Sequence, residues 1–306
     1  MNNKVKGYTA GIVAAIAYGT NPLGALSLYN EGFNPSSVIF YRFLFAVIIM
    51  FAILKWKKVP LKVTSSELKI LASLGVIFVA SSITLYTSFN YMDSGIASTI
   101  LFAYPIMVAI IMSVFFKEKT SWLTILSIVL SISGICLLYK GDGTATLSLV
   151  GVMLVLLSSL TYAVYIVIVN RAKMVMSPFK TTFYIMAFAT IAVFLYSFTS
   201  PSNHIIMFPS WSSFGWSVML ACFPTIIAMT FLNIGIFYIG STPTAIMGAL
   251  EPVTAVIISV TIFNGVFTLR FAIGIVLILI AVLIIVAGKS LLDTLKQKRV
   301  ANKKLN

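Results

Sequence analysis

The chain has 306 residues, of which 60% are apolar and only 9% are Asp, Glu, Lys or Arg. Soluble domains contain about 45–50% apolar and about 25% charged residues, so this composition excludes a soluble globular fold. The net charge of +14 does not indicate nucleic-acid binding, because the basic residues lie in short links between apolar runs, where they orient a membrane protein.

Ten apolar runs have the length of a membrane-spanning helix, which takes about 17–25 residues. They lie at 7–28, 37–54, 69–90, 95–116, 122–139, 147–169, 181–198, 214–236, 241–263 and 268–288. With the N-terminus inside, eighteen of the 21 Lys and Arg fall on the inner side, Lys140 and Arg270 fall outside, and Arg42 lies within a span. The sequence therefore predicts an all-α membrane protein with ten transmembrane helices and both termini inside. We expect it in the plasma membrane, the cytoplasmic (inner) membrane of a bacterium.

The second half of the chain repeats the first at a shift of 147 residues. The shift pairs Tyr91 with Tyr238, Ser94 with Ser241, Pro105 with Pro252, Phe116 with Phe263 and Gly141 with Gly288. Each half holds five spans, and because five is odd the halves must have opposite orientations. The prediction is two inverted five-helix repeats at 1–143 and 144–290, followed by a basic cytoplasmic tail at 291–306. Inverted repeats are a recurring architecture of secondary transporters.

Six segments resemble the motifs of one transporter family. They are Ala17–Pro22 (AYGTNP), Phe40–Phe43 (FYRF), Ala97–Pro105 (ASTILFAYP), Phe116–Thr120 (FKEKT), Gly248–Pro252 (GALEP) and Gly274–Ala281 (GIVLILIA). Their order and spacing, over nearly the whole chain, resemble the EamA-type transporters of the drug/metabolite transporter superfamily. That family usually has Trp where this chain has Tyr18 and an acidic residue where it has Gly265. The resemblance implies transport of a small metabolite by alternating access, with export of an amino acid or a related compound favoured.

Glu251 is the only acidic residue deep inside a predicted span. A carboxylate at that depth is costly and usually faces the protein interior or a wet cavity, where it can exchange protons or pair with a cationic substrate. The alternative role is structural, because Pro252 frees the carbonyl of Gly248, to which a protonated Glu251 could donate. The shift of 147 residues pairs Glu251 with Tyr104, which also precedes a proline, Pro105. Two proline-broken spans in corresponding positions indicate a central site.

Other polar side chains within the spans complete the predicted substrate cavity. The candidates are Tyr18 and Asn21 in span 1, Arg42 in span 2, Tyr86 and Asn90 in span 3, Tyr104 in span 4 and Tyr162 in span 6. The predicted helix breaks are Pro22, Pro105, Pro224 and Pro252. Arg42 is either an internal cation that attracts carboxylates, and with Glu251 would suit a zwitterion, or a side chain that snorkels to the surface. Small polar residues in these spans are also suited to packing helices together.

No catalytic, metal or cofactor site is predicted. The chain has no Walker-type phosphate loop and no His-Glu-x-x-His motif, and His204 is its only histidine. Cys136 and Cys222 lie in apolar runs and are interpreted as small buried hydrophobic residues. The expected partners are a small-molecule substrate, the lipid bilayer and, if Glu251 is coupled, protons, while nucleic acid is not expected and an oligomer is not required. The alternatives are a membrane enzyme acting on lipids and a sensor or assembly protein that shares the fold without transporting.

Overall fold

A computed structural model describes residues 3–117, 122–139, 148–172, 176–239, 244, 247–265 and 267–284. Every regular element within these ranges is helical. The helices are α1 (Asn3–Gly19), α2 (Asn21–Asn30), α3 (Pro35–Trp56), α4 (Ser65–Ser88), α5 (Ser94–Leu101), α6 (Tyr104–Phe116), α7 (Trp122–Tyr139), α8 (Leu149–Arg171), α9 (Pro178–Tyr196), α10 (Trp211–Ala221), α11 (Ala228–Ile239), α12 (Leu250–Ile262) and α13 (Leu269–Ile284). A 3-10 turn at Pro201–Asn203 precedes α10, and a π-helix at Cys222–Ile227 joins α10 to α11.

Seven helical stretches are long and apolar enough to cross a membrane. They are Asn3–Asn30, Pro35–Trp56, Ser65–Ser88, Ser94–Phe116, Leu149–Val169, Phe179–Tyr196 and Trp211–Gly235. Three shorter apolar helices, Ile125–Leu137, Leu250–Ile262 and Leu269–Ile284, lie where the remaining spans are predicted. The all-α membrane fold is thus confirmed, whereas the count of ten spans and the orientation of the termini stay predictions. The predicted tail at 291–306 lies outside the described residues.

The outward faces of the helices carry large apolar side chains. Leu269 is 79% exposed and Phe115 is 75% exposed, which suits a surface covered by lipid rather than water. Cys136 is exposed as well, and Cys222 is half-buried, so the prediction that both are buried is wrong for Cys136. A span that is apolar all round has no periodicity to mark its inner face, and the sequence therefore could not assign this cysteine to a side.

Helix starts follow from residues that satisfy the first backbone N–H groups. Thr64 and Glu67 form a reciprocal capping box at the start of α4. At the start of α5, the Asp93 carboxylate accepts hydrogen bonds from the backbone N–H groups of Gly95 and Ile96 at 2.8 and 3.1 Å. These caps determine the residues at which α4 and α5 begin.

The interior is built from contacts between helices that are distant in sequence. Helix α4 packs against α8 and α9, α1 packs along α11, and α5 packs on α12. The side chains of Phe43, Tyr86 and Leu74 are fully buried in the main apolar core. Along the α1–α11 contact the backbones approach closely, because a Cβ atom on Gly7 would lie 2.5 Å from Cγ2 of Ile239. Contacts of this kind hold the interrupted helices, described next, in place.

Candidate functional site

The helical path is interrupted near each of the four prolines predicted to break a span. The interruptions are Thr20 before Pro22, Phe102–Ala103 before Pro105, the π-helix around Pro224, and the turn Gly248–Ala249 before Pro252. Proline has no N–H group, so it leaves the carbonyl one turn earlier without its helical partner. The breaks of spans 1 and 9 lie against each other, because a Cβ atom on Gly19 would be 2.8 Å from the carbonyl oxygen of Glu251.

Arg42 is buried, with 6% of its surface exposed, and its guanidinium is fixed by three neighbours. Nε donates to Oγ1 of Thr225 at 2.9 Å, Nη1 donates to the Tyr86 hydroxyl at 2.7 Å, and Nη2 donates to the carbonyl of Pro224 at 3.4 Å. The Tyr86 hydroxyl in turn donates to Oδ1 of Asn21 at 3.1 Å. Spans 1, 2, 3 and 8 therefore meet in one polar network, and the snorkelling interpretation of Arg42 is wrong.

The π-helix supplies two of the acceptors that Arg42 uses. Within this wider turn, Oγ1 of Thr225 donates to the carbonyl of Leu220 at 3.0 Å and accepts from Arg42, while the carbonyl of Pro224 turns towards the guanidinium. Single π-helical turns occur frequently at functional sites. All three partners of Arg42 are neutral groups. The network therefore holds the cation in a fixed orientation without neutralising its charge.

Four tyrosines and one carboxylate form a second group of the candidate site. The rings of Tyr104 and Tyr162 meet edge to face with centroids 4.8 Å apart, and those of Tyr162 and Tyr165 stack at 5.7 Å. Tyr18, Tyr104 and Tyr162 all lie near Glu251. These side chains come from spans 1, 4, 6 and 9, so both halves of the chain contribute to the group.

Glu251 is the second residue of α12, directly after the turn that interrupts span 9. Its carboxylate interacts electrostatically with Arg42, yet it makes no hydrogen bond with any residue in the described ranges. The carbonyl of Gly248 accepts from the backbone N–H of Glu251 at 3.0 Å, not from its side chain. The structural role considered for this carboxylate is therefore not the arrangement found.

The side chains of this group lie inside the protein, yet each keeps part of its surface accessible. Tyr18, Tyr104, Tyr162 and Glu251 are surrounded by protein, and each side chain is only partly buried. A cation, a carboxylate and several hydroxyls thus lie in one interior region, where electrostatic interactions are stronger than in water.

One predicted cavity residue lies elsewhere, and two others were not singled out. Asn90 is exposed in the turn after α4, because the helix ends at Ser88 and the four-residue spacing from Tyr86 no longer places both on one face. Thr225 in span 8 and Tyr165 in span 6 belong to the site; the sequence offers both as polar residues within spans, but they are not among the predicted cavity residues. The signal for Thr225 is its position directly after Pro224, where a hydroxyl can bond the carbonyl that the proline frees.

Comparison with known proteins places these observations in a family. The model of the EamA-like transporter family matches residues 5–140 and 149–287. The chain belongs to the EamA-like transporter family. As an EamA protein it is 27% identical over 273 residues to an "Uncharacterized transporter" of Archaeoglobus fulgidus, covering 89% of this chain and 94% of that one. It is also 24% identical to the "Uncharacterized transporter YyaM" of Bacillus subtilis, over 84% of this chain and 87% of the relative.

The fold of this EamA chain also has a counterpart among solved structures. A crystal structure with 16% sequence identity covers 92% of this chain and 96% of its own, with a TM-score of 0.64. At that identity the likeness supports the fold alone. The resemblance inferred from the motifs is confirmed, and the chain is a multi-pass membrane protein of a transporter family.

Proposed function

We propose that this EamA protein is a secondary transporter that exports a small zwitterionic metabolite, an amino acid or a related compound, across the bacterial inner membrane. The observation that carries the proposal is geometric: the hydrogen-bond network of the buried Arg42 reaches Asn21 in span 1, and Gly19, two residues earlier, packs against the backbone of Glu251. The three hydrogen-bond partners described for Arg42 are neutral, and no described residue hydrogen-bonds with the Glu251 carboxylate. A zwitterion would offer its carboxylate to the guanidinium and its ammonium group to Glu251. Hydrogen bonds between such charged groups are roughly twice as strong as neutral ones.

The proposed mechanism is alternating access between the inverted repeats 1–143 and 144–290. Support comes from the interruptions before Pro105 and Pro252, of which the first divides span 4 into α5 and α6 and the second directly precedes α12. Energy would come from the substrate gradient or from protons, for which Glu251 is the coupling group we propose. The mechanism requires neither a cofactor nor an oligomer.

Binding tests the charge assignment directly. We would measure the thermal stability of the detergent-purified chain with each amino acid, with the amine that lacks its carboxylate, and with the acid that lacks its ammonium group. A ligand at about 100 times its Kd adds about 2.7 kcal/mol to the stability of the folded state. We expect stabilisation by the zwitterion only, with the requirement for the carboxylate lost in Arg42→Gln and that for the ammonium group lost in Glu251→Gln. Stabilisation by all three compounds would contradict the assignment.

Transport separates this proposal from the alternative of a non-transporting sensor or assembly protein. Liposomes containing the chain would be loaded with the labelled ligand, and efflux would be followed with and without a pH gradient. We expect ligand efflux that responds to the gradient in the parent and in Glu31→Gln, a control at a half-buried carboxylate outside the predicted spans that accepts a hydrogen bond from Ser210, but not in Glu251→Gln. Binding without efflux would favour the sensor, and an unchanged gradient response in Glu251→Gln would exclude that residue from proton coupling.

A further inference from the structure

Asp93 connects two helices that belong to different halves of the chain. One carboxylate oxygen, Oδ1, caps α5 through the N–H groups of Gly95 and Ile96. The other, Oδ2, accepts a hydrogen bond from the hydroxyl of Ser259 in α12. Ser259 is buried, with 1% of its surface exposed. A single side chain therefore fixes the start of span 4 to the last turns of span 9.

The two helices are in close contact beside this bond. A Cβ atom on Gly95 would lie 2.8 Å from Cα of Val256, so there is no room for a side chain between the backbones. Beyond the break in span 4, α6 packs on α8 and α7 and shares a small apolar cluster with Ala281 and Val282 of α13, and only Ile106 within α6 is buried. Among the described residues, span 4 is thus most closely packed at its Asp93 end.

In the sequence, the two positions that the repeat pairs with Asp93 and Ser259 do not carry the residue types that form this hydrogen bond. The shift of 147 residues pairs Asp93 with Gly240 and Ser259 with Met112. Glycine and methionine offer neither a carboxylate nor a hydroxyl. In two otherwise similar halves, the bond can stabilise only one of the two closed ends.

We propose that Asp93 and Ser259 form a latch that stabilises the conformation closed at the Asp93 end, which the predicted orientation places at the external face. The inference rests on the alternating access proposed above, but it does not depend on which substrate is carried. A hydrogen bond to a charged group is stronger than one between neutral groups, so its loss shifts the balance measurably towards the conformation open at that end.

The test measures separation of α5 and α12 without any substrate. In the full-length, detergent-purified chain, Cys136 and Cys222 are replaced by Ser and Val256 by Cys, which places one thiol in the contact with Gly95. The rate of maleimide labelling then reports opening of the contact. We expect labelling at least about tenfold faster in Ser259→Ala than in the parent. The matched control is Ser94→Ala, because the buried Ser94 hydroxyl has no hydrogen-bond partner in the described ranges.

Two further variants guard against a trivial loss of folding. Ser259→Thr keeps the hydroxyl and should label at about the parent rate. Gly265→Ala keeps both latch residues, but its Cβ would overlap Oδ2 of Asp93 and Oγ of Ser259, so labelling should rise as in Ser259→Ala. Equal rates in Ser259→Ala and Ser94→Ala would overturn the latch. Because no ligand is present, that result would not bear on the proposed substrate class. Failure of the ligand-binding tests would likewise not change the conclusion about the latch.

Discussion

Tyr86 holds two polar partners with one hydroxyl, since it accepts from Arg42 and donates to Asn21. We predict that Tyr86→Phe lowers the free energy of unfolding by about 1–3 kcal/mol, because the buried Arg42 and the half-buried Asn21 each lose a hydrogen-bond partner. The measurement is thermal or denaturant unfolding in detergent. Tyr41→Phe is the matched control, because no residue in the described part of the chain hydrogen-bonds with the Tyr41 hydroxyl. Equal losses in the two variants would mean that the hydroxyl does not support Arg42.

Single charged residues within apolar runs were the most predictable part of the site. Arg42 and Glu251 stand out because burying a charge in a membrane is costly and needs a reason. Asp93 gave no such signal, because an acidic residue before a helix is an ordinary N-cap. Its second role depends on Ser259, which is 166 residues away in the sequence. A contact of that range follows from packing and not from local pattern.

At the scale of helices, the break in span 4 deprives the carbonyl of Leu101 of its helical hydrogen bond, and a side chain of another helix donates to it instead. Oγ of Ser159 in α8 donates to it at 3.2 Å. We predict that Ser159→Ala costs about 1 kcal/mol of unfolding free energy in the parent and less in Pro105→Ala. The alanine would restore an N–H group four residues after Leu101, which can take over that carbonyl.

A double-mutant cycle measures this coupling. The control is Ser158→Ala, since the Ser158 hydroxyl donates to the carbonyl of Ser81 at 2.7 Å and has no link to Pro105. Its cost should be the same with and without the proline substitution. If the costs of Ser159→Ala and Ser158→Ala both stay unchanged, the proline does not control the free carbonyl.

Proline made the positions of the helix breaks predictable, but not their form. Pro22 and Pro105 lie in the first turn of a new helix, whereas Pro224 lies inside a π-helix. The groups that take the freed carbonyls differ as well: Ser159 of another helix donates to the carbonyl of Leu101, whereas Thr225 of the π-helix itself donates to that of Leu220. The sequence alone therefore located the interruptions without distinguishing a new helix from a widened turn.

At the scale of the molecule, the contact between α1 and α11 joins the two halves along their backbones. Because a Cβ atom on Gly7 would overlap the Ile239 side chain, we predict that Gly7→Ala lowers the free energy of unfolding by about 1–3 kcal/mol. Gly215→Ala is the control, because nothing lies within 4 Å of its Cβ position and alanine favours a helix by about 1 kcal/mol. A stabilising Gly7→Ala would show that the contact can open at little cost.

The ranges of the membrane helices were largely predictable because each apolar run is long, but their arrangement was not. A helix that is apolar on every side gives no indication of its neighbours, as the exposed Cys136 illustrates. The meeting of Tyr18, Tyr104 and Tyr162 beside Glu251 likewise depends on four spans brought together by packing.

The π-helix at Cys222–Ile227 also determines how far α11 is rotated about the axis of span 8 relative to α10. An α-helix turns by about 100° per residue, so shortening this segment by one residue to a regular helix would rotate α11 by about that angle relative to α10. The face that α11 now presents to α1 would point elsewhere, and Thr225 would turn away from Arg42. A relative whose sequence is one residue shorter in this segment would therefore need different side chains for two purposes. One is the contact between α1 and α11, and the other is the set of hydrogen-bond acceptors for the arginine.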